Sequence, residues 1–140
     1  MTYKEVHSLL KNFDGKKSRL KSMLSFITER RTLIEGVGAV NYDNVSVVSS
    51  PGNSTEERYI KELDRLKDLQ QRYDLLYDDL CQDEERIFNL MQRLSATEYE
   101  VILNRYLRGL TRLRTAQIMG YSVDGLKDIQ KRALKKMSKI

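Results

Sequence analysis

The sequence predicts an all-α chain: a long antiparallel coiled-coil hairpin over residues 1–94, followed by a small domain of three short helices over 95–140. Three observations lead there. Two long apolar series step by threes and fours on either side of one glycine- and proline-bearing stretch. Hydroxyl residues stand three positions ahead of glutamates where helices should open. The apolar residues after Leu94 recur at helical spacing around turn-forming glycines.

The first helix is expected over about 3–35. Val6, Leu10, Phe13, Leu20, Leu24, Ile27 and Ile34 fall on the two alternating lines of a coiled-coil seam, with Lys17 and Arg31 as its interruptions. The stretch EGVGAVNYDNVSVVSSPGNSTEE then carries three glycines and the chain's one proline, which predicts a loop over 36–55 with Val45–Val48 as at most a short strand-like piece. The second helix is expected over about 56–93, opened by a Ser54/Glu57 capping box and lined by Tyr59, Leu63, Leu66, Tyr73, Tyr77, Leu80, Ile87, Met91 and Leu94, with Gln70 and Glu84 interrupting. Helices of this size span roughly 45 to 57 Å and can lie side by side. An antiparallel register with Arg31 near Tyr59 sets Lys11, Lys16, Lys17, Arg19 and Lys21 beside Asp74, Asp78, Asp79, Asp83 and Glu84. That charge match favours a hairpin within one chain; self-association through the same seam is the competing arrangement, leaving monomer and coiled-coil homo-oligomer both open.

In the C-terminal domain, Ser95 and Glu98 form a second capping box, opening a helix whose apolar face is Tyr99, Ile102, Leu103 and Tyr106 and which ends at Arg108-Gly109. Thr111 caps a short helix, Arg112 to Met119, and Gly120 supplies the left-handed conformation of a sharp turn. Ser122 caps a third helix whose inner face is Leu126, Ile129, Ala133, Leu134 and Met137. Two helices joined by a tight glycine turn, with small Ala116 where they cross, make a helix-turn-helix, a geometry that places its second helix in the DNA major groove.

Charge agrees with that reading. Residues 95–140 hold ten Lys/Arg against four Asp/Glu, whereas residues 1–94 hold fifteen against sixteen. The whole excess of positive charge lies in the domain expected to meet a polyanion. Other classes lose support. One cysteine, Cys81, and one histidine, His7, provide no thiolate and imidazole set for zinc and no Cys-His nucleophile pair, and the acidic residues 74–85 read as a solvated helix face. No catalytic residue, cofactor or metal is expected. The absence of a long apolar run or secretory leader predicts a cytoplasmic protein with no membrane contact.

The segments VILNRYLRGLT, AQIMGYS and LKDIQKRALKKM resemble region four of bacterial sigma factors and the small phage-encoded transcriptional regulators of the ArpU type. The resemblance covers about 45 residues; the N-terminal hairpin is similar to the same phage group in a weaker way. It implies double-stranded DNA binding at a promoter, with RNA polymerase as a candidate partner and no catalysis. Carried over by position, Thr111, Arg112 and Arg114 would meet phosphates. Ser122, Val123, Asp124, Lys127, Asp128, Lys131, Arg132 and Lys135 would face the groove from the recognition helix. Three features depart from the pattern: Thr115 replaces a bulky aliphatic and should loosen the packing of the two helices, Gly125 lies inside the recognition helix, and Asp124 and Asp128 bring carboxylates toward phosphate. Two alternatives follow from those departures and from the hairpin: an interaction module that binds RNA polymerase or a host regulator with little DNA contact, and a packaging protein of the small-terminase kind.

Overall fold

The computed structural model describes residues 1–44 and 53–139, with side chains outside residues 36–55. The described chain is all helix and turn. Its elements are α1 (Tyr3–Asn44), α2 (Asn53–Met91), α3 (Ala96–Ile102), which runs on as one π-helical turn (Leu103–Leu107), α4 (Arg112–Met119) and α5 (Val123–Ser138).

The first helix is longer than the sequence suggests. It continues through Gly36 and Gly38 to Asn44, so the expected loop of 36–55 is shorter at both ends. Glycine inside a helix costs roughly 1 kcal/mol relative to alanine but does not stop it, and Val37, Ala39 and Val40 continue the turn. Ser54, expected ahead of the second helix, falls inside α2, which opens at Asn53; its side chain, and the strand-like piece Val45–Val48, lie outside the described residues.

Contacts divide the chain into two units: Met1–Ser18 with Asp79–Ile140, and Arg19–Asp78. The feet of α1 and α2 thus fold with the three C-terminal helices, across the boundary expected at residue 94. In the unit of residues 19–78, α1 and α2 run antiparallel, with Arg30 Nη1 3.4 Å from Glu62 Oε2 and Leu20, Ile27 and Ile34 buried. In the other unit, Lys16 Nζ lies 2.7 Å from Asp79 Oδ2 and 2.6 Å from Asp83 Oδ2, again antiparallel and with partners drawn from the expected basic and acidic runs.

One line of the expected seam sits a residue early. Val6, Leu10, Phe13, Leu20, Ile27 and Ile34 are buried, but between them Lys16, Met23 and Arg30 turn inward rather than Lys17, Leu24 and Arg31. In α2 the inner residues are Leu76 and Asp83, whereas Tyr77 and Glu84 face outward. The inward set is the one that pairs its charges: Lys16 reaches Asp79 and Asp83, and Arg30 reaches Glu62. Hydrogen bonds that Lys16 donates to Asp79 and Asp83 raise its pKa above the ordinary 10.5 despite partial burial.

Candidate nucleic-acid interface

The three C-terminal helices are shaped by their ends. Ser95 Oγ accepts from the Glu98 backbone N–H at 3.3 Å and donates to Glu98 Oε1 at 2.7 Å, opening α3. The Glu98 carboxylate of the expected capping box also accepts from Lys136 Nζ, 2.6 Å away. Burial pushes the Glu98 carboxyl upward, but the bonds from Lys136 and Ser95 outweigh it and leave the pKa below its ordinary 4.5.

Helix α3 ends through the π turn. Arg108 N donates to Leu103 O at 2.9 Å, Leu110 N to Asn104 O at 2.9 Å, and Gly109 takes φ 72°, a left-handed value that suits glycine. The turn is held from two sides. Arg108 Nη1 donates to the buried Asn104 Oδ1 at 2.8 Å, and Lys17 from α1 donates to Leu107 O. The π turn and the Lys17 tether escaped sequence reasoning, since neither leaves a periodic signal.

From Thr111 onward the expected geometry is present. Thr111 Oγ1 accepts from Arg114 N at 3.1 Å, Gly120 ends α4 at φ 74° with its N–H on Ala116 O, and Ser122 Oγ accepts from Gly125 N at 3.1 Å. Val101, Ala116, Leu126 and Ile129 form the buried cluster between the helices, with Met119 against it. All five residues expected on the inner face of α5 are buried. Gln130 joins them and donates from Nε2 to Tyr106 Oη at 2.6 Å, clamping α5 to the turn after α3. Burial raises the Tyr106 pKa above its ordinary 10.0, so its hydroxyl stays protonated.

Two of the departures resolve locally. Thr115 is fully buried and its hydroxyl donates to Thr111 O at 2.9 Å, so no polar atom is stranded and the side chain packs between the helices. Gly125 lies in the first turn of α5, where its N–H caps onto Ser122, and an added Cβ would sit 3.1 Å from Ser122 Oγ.

The eleven residues expected to touch DNA are all exposed. Thr111, Arg112 and Arg114 open α4, and their N-terminal end is a place where backbone N–H groups attract anions. Asp124, Asp128, Lys131 and Lys135, at i, i+4, i+7 and i+11, share one line on α5 opposite its buried face, with Lys127 and Arg132 on the flanks. The Thr111 and Ser122 hydroxyls are occupied as caps. Lys136, beside the buried face of α5, reaches Glu98. Among the described residues, neither Asp124 nor Asp128 is in an ion pair, although Lys131 and Arg132 follow Asp128 at i+3 and i+4.

Neither the curated proteins nor the solved structures contain a match to the chain. Residues 90–139 match the family model of sigma-70 region 4. The C-terminal part of the chain is therefore a sigma region-four-like helix-turn-helix domain.

Proposed function

We propose that the protein is a sequence-specific regulator of transcription, phage or prophage encoded and cytoplasmic, that binds double-stranded DNA at a promoter through α4 and α5 and works together with RNA polymerase. The observation that carries the reading is the coincidence of three things in one segment. Residues 90–139 match sigma-70 region 4, the core positions of the helix-turn-helix are buried, and the polar and basic face of α5 is left open beside the cationic start of α4. Arg112 and Arg114 then meet phosphate and fix the register of the domain, while the first two turns of α5 enter the major groove. None of this requires bond-making chemistry by the protein. No described helix is long and apolar enough to cross a membrane.

A protein contact beside the DNA contact is favoured by Leu113 and Ile118, which are 59% and 54% exposed on α4. Large apolar side chains in that position suit an interface with a polypeptide, and RNA polymerase is the partner consistent with a sigma-like module. The feet of α1 and α2 fold with this module and bury Val6, Leu10 and Phe13, which supports a hairpin closed within one chain.

Capture of sheared genomic duplex fragments by the intact protein tests the reading. Enriched fragments should share one sequence motif and lie upstream of transcribed regions; capture proportional to fragment abundance would contradict it.

A further inference from the structure

The outer line of α5 is not uniformly basic. Its first half and that half's flanks present Val123, Asp124, Lys127 and Asp128, and its second half Lys131, Arg132 and Lys135. Asp124 has an ordinary structural explanation, because a carboxylate in the first turn interacts favourably with the helix dipole. Asp128 has none. It lies in the second turn, beyond capping reach, and caps no backbone group. It is exposed and in no ion pair with Lys131 or Arg132. If the groove face met only phosphate, this carboxylate would oppose binding at every site.

Resting on the duplex-DNA reading of this face, we propose that Asp128 is a specificity-determining residue that selects a C·G base pair by accepting from the exocyclic amino group of cytosine. A carboxylate presents acceptors alone, so it requires a donor edge without a neighbouring acceptor on the same base. In the major groove, cytosine offers N4–H2 and no acceptor of its own, whereas adenine sets N7 beside N6–H2 and repels the second carboxylate oxygen. Guanine of the same pair presents O6 and N7, the acceptors that Lys127 or Lys131, flanking Asp128, can meet. The sequence of charges Lys127, Asp128, Lys131 is thus complementary to a donor bordered by acceptors. The same carboxylate penalises duplexes that lack an amino group there, which separates specific from bulk DNA.

The test uses the full chain and a randomised duplex library, selected in parallel by the wild type, Asp128→Asn and Asp128→Ala. Because Asp128 is exposed, the three proteins should have coincident thermal melts, and any effect on selection is then one of recognition. The wild type is expected to fix C·G at one position of its motif. Asparagine accepts and donates and pairs with adenine N6 and N7, so Asp128→Asn should move that one position to A·T by about tenfold or more and leave the rest of the motif in place. Asp128→Ala should lose preference at that position alone. A wild-type motif retained at every position by both variants would overturn the assignment, as would an equal tightening on all duplexes by Asp128→Ala. If the wild type binds no duplex even at low salt, the DNA reading itself fails and the role of Asp128 with it.

Discussion

The Nζ of Lys136 lies 2.6 Å from Oε1 of Glu98, fastening the last turn of α5 to the first turn of α3. The bond sits beside the Ser95 cap, so one carboxylate starts α3 and also anchors the end of the helix proposed to read DNA. Glu98 is almost wholly buried while Lys136 remains half in water, with 47% of its side chain exposed. Glu98→Gln should lower stability by about 1–2 kcal/mol, less than a fully buried pair would cost because solvent screens the lysine. Chemical denaturation measures it.

The same pair predicts an acid dependence. The folded-state pKa of Glu98 is below its ordinary 4.5, so the stabilisation is complete above that value and is lost as pH falls through the lower folded value. Melting temperatures followed from pH 6 downward should decline more shallowly in Glu98→Gln than in the wild type. Parallel curves would show that the carboxylate does not carry the effect.

Lys16 gives the opposite sign at the other end of the scale. Its pKa is raised above 10.5 by Asp79 and Asp83, so its contribution is complete below 10.5 and fades as pH rises through the higher folded value. Lys16→Met should cost about 1–3 kcal/mol at neutral pH, because it leaves the buried Asp83 carboxylate without its cation. Urea unfolding at pH 7 provides the number.

The two left-handed glycines should respond unequally. Alanine at a positive φ costs roughly 1–2 kcal/mol for backbone reasons alone. At Gly120 nothing lies within 4 Å of an added Cβ, whereas at Gly109 it would sit 3.0 Å from Asp14 Oδ1. Gly109→Ala should therefore be the more destabilising of the two, and Gly109→Ala in an Asp14→Ala background should recover the difference. Thermal melts of the four proteins decide it.

Much of the C-terminal domain was legible because its signals are local. Thr111, Gly120 and Ser122 act on residues within a few positions of themselves, and they delimit α4 and open α5. The inner face of α5 follows from helical spacing alone. Where the reading slipped, the decisive partner was distant in sequence. Lys16 rather than Lys17 turns inward because its partners are Asp79 and Asp83, and Asp83 displaces Glu84 for the same reason. Glu98 also takes Lys136, 38 residues away. The extension of α1 to Asn44 was hidden by Gly36 and Gly38, which lower helix propensity without forbidding it. For the interface, exposure of the eleven expected residues accords with helical geometry.

The central claim, that α4 and α5 bind duplex DNA, is tested most directly by the salt dependence of affinity for a duplex selected by the protein, measured by fluorescence anisotropy. The account predicts a log-log slope of about −0.9 for each phosphate contacted. It also predicts that Arg112→Ala and Arg114→Ala each weaken binding to all duplexes and reduce the slope by about one. A slope near zero, or a slope unchanged in both variants, would contradict it.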